Sequence, residues 1–295
     1  MIHRYKPLEI GDKEEFNRLL RQAPPPISEL TFTNLFMWRY RYRPCWRVED
    51  DCLLVLLAPE DRHPFGLQPA GPGDGIRALH RLADDLASLE APPIVRRVSE
   101  ELANRASPGD FRVEYDRDNS DYVYLAEDLV HLAGRKYHRK KNHLNRFVKN
   151  NVFEYRPLDV ELVECFLEMQ ESWCQIKACE ESPGLLMEDY AIRQALIHFE
   201  DLDFQGGAIV MDDQVEAFAL GEPLDDQCAV IHIEKANPDI PGLYAAVNQM
   251  FCRQAFSGMR YINREQDMGI EGLRKAKESY YPHHLVNKYT LERAP

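Results

Sequence analysis

Apolar positions recur at two spacings along the 295 residues, every second residue in some stretches and every third or fourth in others. That mixture predicts a chain of alternating strands and helices, the α/β or α+β class. In the first half, "IHRYKPL" reads as a strand and "GDKEEFNRLLRQA" as a helix with Asp12 at its N-cap, stopped by the prolines at 24–26. "SELTFTNLFMWRYRYR" predicts a second helix, capped by Ser28 and anchored by Leu30, Leu35 and Trp38. "CWRVEDDCLLVLLAP" alternates as two strands joined at Glu49–Asp51. The glycine-rich "GLQPAGPGDG" leads into the helix "IRALHRLADDLASL" and the short strand "PIVRRV". "FRVEYDRDNSDYVYLA" then reads as a hairpin turning at Asp118–Asn119.

The second half repeats this order. "NVFEYRPL" predicts a strand, and residues 159–178 a helix with the apolar stripe Leu162, Phe166, Met169, Trp173 and Ile176. "MEDYAIRQALIHF" is another helix, and "GGAIVMDDQVEAFALGEPL" a hairpin turning at Asp212–Asp213. The strand "CAVIHIEKAN", the loop "PDIPG" and the helix "LYAAVNQMFCRQAF" follow, then the strand "RYINRE", the helix "EGLRKAKESY" and the strand "HLVNKYTLE". Matching element order without matching residues suggests a duplicated unit, residues 1–126 and 151–295, with 127–150 as a connecting helix.

Composition narrows the class. With 44% hydrophobic residues and 29% charged, the chain can bury a normal core. Its start lacks an apolar run and its longest such run, "CLLVLLA", is far shorter than a bilayer span, so a cytoplasmic protein is expected. Seven cysteines without a CxxC argue against a disulfide framework or a zinc site; Cys165 and Cys174 fall at apolar positions of a helix pattern, and the expectation there is buried reduced thiols and no metal.

The net charge of −13 sets one stretch apart. "GRKYHRKKNHLNRF" opens a segment, Arg135 to Lys149, with seven Lys or Arg and no acid. On a helical wheel Tyr137, Leu144 and Val148 fall together, and Arg135, Arg139, Arg146 and Lys149 fall opposite with Asn142. Such an amphipathic helix packs one face on the body. Its basic face is either solvated, or paired with acids of the chain, or a contact for phosphates of a partner such as tRNA.

Three stretches carry a resemblance. "SELTFTNLFMWR", "GRKYHRKKNHLNRF" and "NREQDMGIEGLRKAKESYYP" resemble the hallmarks of the bacterial DUF2156 family, similar to the C-terminal domain of lysyl-phosphatidylglycerol synthases. The resemblance implies tandem GNAT-like domains, each with a twisted mixed sheet. It implies acyl or aminoacyl transfer from a phosphate-bearing donor, aminoacyl-tRNA ahead of acyl-CoA, to an amine or hydroxyl of a small molecule or peptide. No other cofactor is required. A tandem GNAT-like protein that only binds a ligand or RNA is the alternative.

In that fold the donor sits where two central strands splay, its phosphates at the next helix N-terminus. The pattern maps onto "CAVIHIEKANPDIPGLYAAVNQM", making Asn237, Ile240, Gly242 and Leu243 donor-binding candidates. "GPGDGI", with Gly71, Gly73 and Gly75, is a rival phosphate loop or a plain connector. Acyl transfer needs a base, an oxyanion donor and an acid. His232 and Glu234 share a strand face and are candidates for the base, with Ile231 and Ile233 opposite. In "YINREQD", Asn263 and Glu265 are expected on one face to orient the acyl group and bind an amine, and Arg264 on the other to grip phosphate. Lys275 and Lys277 follow as solvated residues or a phosphate channel, and Tyr280 or Tyr281 as the acid to the leaving group.

Overall fold

The computed structural model describes residues 4–294. They form two compact units. The first takes the chain through Asp121, the insert Gln266–Ile270 and the segment from Leu285 onward; the second takes Tyr122–Glu265 and Glu271–His284. The division therefore differs from linear halves at 126 and 151. The basic stretch is an integral part of the second unit, and the C-terminal strand belongs to the first.

Fourteen strands are described: β1 (Lys6–Pro7), β2 (Pro44–Glu49), β3 (Cys52–Leu57), β4 (Phe65–Leu67), β5 (Ile94–Ser99), β6 (Phe111–Tyr115), β7 (Asp121–Leu125), β8 (Glu154–Pro157), β9 (Gln205–Met211), β10 (Gln214–Pro223), β11 (Cys228–Ala236), β12 (Tyr261–Asn263), β13 (His284–Val286) and β14 (Lys288–Arg293). They make two seven-stranded sheets, β1-β2-β3-β4-β5-β14-β6 and β13-β7-β12-β11-β10-β9-β8. Each contains a parallel pair joined through a helix: β4 with β5 through Gly75–Ser88, and β11 with β12 through Leu243–Ala255. This shared device is the structural counterpart of the repeated element order.

In the first unit the helix Gly75–Ser88 starts where Asp74 accepts hydrogen bonds from the Ile76 and Arg77 amides. Leu79, Leu82 and Leu86, spaced for one helical face, are fully buried against Leu54, Val95, Phe111 and Leu291. Ser28 does not cap a helix. Its hydroxyl and amide bond the Asp121 carboxylate, at 3.0 Å each, and Thr31 caps Phe32–Met37 instead. Lys288, with no exposed surface, pairs with Asp121 at 2.6 Å and Glu29 at 2.5 Å. A buried ammonium needs such partners, so this cluster anchors β14.

The segment expected as a hairpin at Asp118–Asn119 is not one. A 3-10 turn at Arg117–Asn119 separates β6, which pairs with β14, from β7, which pairs with β12 in the other sheet. Alternation marked both strands correctly but could not choose their partners. The turn at Asp212–Asp213 does join β9 to β10, with both aspartates at positive φ.

In the second unit the helix Val163–Lys177 buries Phe166, Met169 and Trp173, whereas Ile176 is half exposed. Cys174 is disulfide-bonded to Cys179, which corrects the expectation of a reduced thiol there; Cys45, Cys52, Cys165, Cys228 and Cys252 are free. The basic helix runs His138–Asn150 and turns Phe147 inward, leaving Val148 in solvent. Among the described residues no helix is long and apolar enough to cross a membrane, and no group of three or more potential metal ligands occurs.

Candidate functional site

The second sheet forks at its parallel pair. β11 and β12 pair only from Cys228–Val230 against Tyr261–Asn263. Beyond that point β11 continues to Ala236 while the other chain leaves the sheet. His232 and Glu234 lie on the continuing arm, with His232 the extra residue of a β-bulge between Ile231, paired with Gly221, and Ile233, paired with Leu220. Arg264 and Glu265 follow directly on the departing arm. They were expected on opposite faces, but β12 ends at Asn263 and Glu265 takes φ 57°, so alternation no longer governs them. The Asn263 side chain, fully enclosed, accepts a hydrogen bond from the Glu265 amide at 2.8 Å and shapes this bend.

Two charge networks cross the fork. His232, its side chain 2% exposed, has Nδ1 2.7 Å from Glu265 and Nε2 2.9 Å from Glu222 of β10. Burial opposes its charge, but these two carboxylates outweigh burial and raise its pKa to about 10. It is therefore an imidazolium at neutral pH, with neither nitrogen left to take a substrate proton. In the second network Glu234 accepts from Arg264 Nε at 3.0 Å, and again from Arg264 Nη2, and from Asn248 Nδ2 at 2.7 Å. Both carboxylate oxygens are thus engaged, so Glu234 fixes the guanidinium rather than waiting as a free base. Glu222 and Asn248 are absent from the sequence expectations. Glu222 in the apolar "AFALGEP" is the signal that can find the first; nothing comparable marks Asn248, which lies inside a buried helix.

Aromatic rings wall this second network. The Arg264 guanidinium carbon lies 4.7 Å from the Tyr280 ring centroid and 5.7 Å from that of Tyr124. Tyr280 is buried, and that burial pushes its hydroxyl pKa up to about 12. Tyr281 is exposed. Lys277 donates to the Arg264 carbonyl, holding the bend, while Lys275 pairs with Glu271 at 2.5 Å in solvent. From the basic helix, Lys140 places its ammonium 4.1 Å from the Tyr280 centroid. Burial, with Arg264 and Arg139 nearby, lowers its pKa to about 8. Lys140 is three residues after Tyr137 and seven before Phe147, so helical spacing alone puts a lysine on the inward face.

The remaining candidates divide. Arg135, Arg139, Arg146 and Lys149 are all exposed. Gly242 does sit at φ 90° ahead of the helix Leu243–Ala255, but the close approach it permits is taken by the protein. The His143 carbonyl oxygen stands 2.5 Å from where a Cβ would be, and Phe147 at 3.1 Å. Leu243 is buried, and the Asn237 side chain is bonded to Glu216 at 2.9 Å. Ile240 is half-buried, its carbonyl accepting from the Leu243 amide. In the first unit, Gly71 and Gly73 similarly admit the backbone carbonyls of Asp51 and Asp50. The adjoining cavity of about 320 Å³ is lined by Glu49, Asp50, Asp74 and Asp84 alongside Arg77 and Arg81. Four carboxylates make it a poor phosphate cradle.

Comparison with known proteins gives this geometry a setting. The family described as "Phosphatidylglycerol lysyltransferase, C-terminal" matches residues 20–292. A conserved protein of unknown function from Bacteroides thetaiotaomicron is 31% identical, with a TM-score of 0.92 over 98% of this chain and 99% of that one. L-PGS from Bacillus licheniformis shares the fold at 14% identity, with a TM-score of 0.69 over 98% of this chain and 93% of that one. A tandem GNAT protein from the clavulanic acid biosynthesis pathway shares it at 10% identity and a TM-score of 0.52, over 99% and 98% of the two chains. An uncharacterized protein of Mycoplasmoides gallisepticum is 23% identical over 74% of this chain, a match that spans 66% of that relative, just under two thirds.

Proposed function

We propose, from the premise that this chain belongs to the phosphatidylglycerol lysyltransferase C-terminal family, that it is an acyltransferase whose donor is an aminoacyl ester carried on tRNA. The acceptor is an amine or hydroxyl. Its nucleophilic atom attacks the ester carbonyl, the bond from carbonyl carbon to the ribose oxygen breaks, and the acceptor's proton passes to that oxygen. The reaction consumes no redox equivalent and needs no further cofactor.

The observation that carries the reading is the fork spanned by His232–Glu265 and Glu234–Arg264. Acyl-CoA enzymes of this fold lay an extended thioester arm into the splay. Here charged side chains cross it, which favours an ester delivered to the rim by a larger carrier. Arg264, held by Glu234, which Asn248 holds in turn, is a preorganised cation for charge that develops at the donor. His232 acts as a positioning residue that keeps Glu265 and the departing arm in place. The exposed cations Arg135, Arg139, Arg146 and Lys149 supply the wider attraction that tRNA requires.

The test incubates the protein with aminoacylated tRNA or acetyl-CoA and a panel of amines and alcohols, reading acceptor mass. Transfer from tRNA is expected, falling by about a hundredfold in Arg264→Ala, the scale of losing one transition-state donor. Faster transfer from acetyl-CoA, or unchanged rates in both Arg264→Ala and Glu234→Gln, would overturn the reading.

A further inference from the structure

Most cations of the second unit are either exposed or matched to a carboxylate. Lys140 is neither. It is half-buried, and among the described residues no carboxylate pairs with it; the charges that act on it are those of Arg264 and Arg139. Lys140 and Arg264 converge on one ring, Tyr280, at 4.1 and 4.7 Å from its centroid. Glu234 occupies Arg264 Nε and Nη2, and Nη1 is buried with no hydrogen-bond partner. Two like charges drawn out of bulk water onto one surface, with a donor unused, describe a place prepared for an anion.

The neighbouring ring indicates which anion. Tyr281 is 48% exposed. Its other side is braced edge-on by Tyr137 at 5.7 Å, and the Lys136 ammonium lies 5.9 Å from its centroid. A fixed, solvent-facing aromatic ring beside paired cations is the combination that holds single-stranded nucleotides, phosphate on the cations and base on the ring. We infer that Lys140 and Arg264 form a phosphate subsite for a nucleotide, with Tyr281 as the platform for its base. The inference deepens the tRNA-borne donor reading and rests on it for the source of the nucleotide. Lys140 here contacts the ligand phosphate and is assigned no proton transfer.

Calorimetric titration at low, fixed ionic strength and pH 7 compares inorganic phosphate, glycerol 3-phosphate and adenosine 5′-monophosphate. The nucleotide is expected to bind about tenfold tighter than the other two, the contribution of one stacked base. Lys140→Gln should weaken all three by about tenfold, Lys140→Arg should retain binding, and Tyr281→Ala should weaken the nucleotide alone. On the wild-type protein, the nucleotide should protect Lys140, and not Lys275, from acetylation mapped by mass spectrometry, a readout independent of whether a variant folds. Equal affinity for the three probes would overturn the nucleotide assignment in favour of a lipid headgroup or free phosphate. Unchanged binding in Lys140→Gln, or absent protection, would overturn the subsite. Failure here is distinguishable from failure of the reaction: transfer from tRNA with Lys140-independent binding removes only the subsite. Lys140-dependent nucleotide binding without transfer to any acceptor removes only the reaction.

Discussion

The two units use the same joint, a parallel strand pair bridged by a helix, and fill it differently. In the first, β4 ends at Leu67, and the next side chain, Gln68, closes onto the Ser99 amide at 2.6 Å. Its glycine-rich loop is spent on packing against the Asp50–Asp51 turn. Buried charge lies instead in the Lys288, Glu29 and Asp121 cluster, where Lys288 meets carboxylates on two sides. In the second unit, β11 overruns its partner, and the gap is spanned by His232–Glu265 and Arg264–Glu234. There a guanidinium nitrogen and Lys140 lack a protein carboxylate. Satisfied buried charge builds structure; buried charge with bonding capacity to spare marks where a ligand belongs.

The contrast yields four predictions. Lys288→Ala removes the ammonium from the buried Asp121 carboxylate and leaves Glu29 to Arg97 alone, and should cost about 3–5 kcal/mol in denaturant unfolding, with nucleotide binding unchanged in the protein that remains folded. Binding that fell in proportion to stability would blur the division of labour. His232 comes next. Its folded pKa is raised from 6.5 to about 10. Its stabilising contribution is therefore whole below pH 6.5 and is lost as pH rises towards 10. The melting temperature of wild type should fall across that window relative to its neutral value, and His232→Gln should flatten the profile while starting lower. Gly73→Ala forces a methyl group into the Asp50 carbonyl, and about 1–3 kcal/mol of destabilisation is expected by thermal melting. Finally, Arg139→Ala with Arg146→Ala should leave stability within about 0.5 kcal/mol. The same pair should lower the log–log salt slope of tRNA binding by about 1–2.

Much of this was legible in the chain, and what was not has physical causes. Helix faces such as Leu79, Leu82 and Leu86 follow from spacing because burial there is set by one element's own geometry. The partner of β7 does not, because alternation describes a strand's faces and says nothing of its neighbour, β12, about 140 residues later in the chain. The state of His232 was not readable, since it depends on a bulge at that residue and on Glu222 arriving from β10 across the ladder. Arg264 and Glu265 misled because the periodic rule stops with the strand. Lys140 was hidden among six other cations, and its spacing from Phe147 marks it only once Phe147, rather than Val148, is known to face inward.

The route of β14 has a consequence for how the chain matures. Leu291 fills the first unit's interior, and β14 lies between β5 and β6, accepting register from both. Until residue 293 has left the ribosome, β5 and β6 expose two unsatisfied strand edges. The half made first is therefore finished last. Removing β14 should leave an adhesive nascent protein, whereas the other sheet has its last strand, β13, by residue 286.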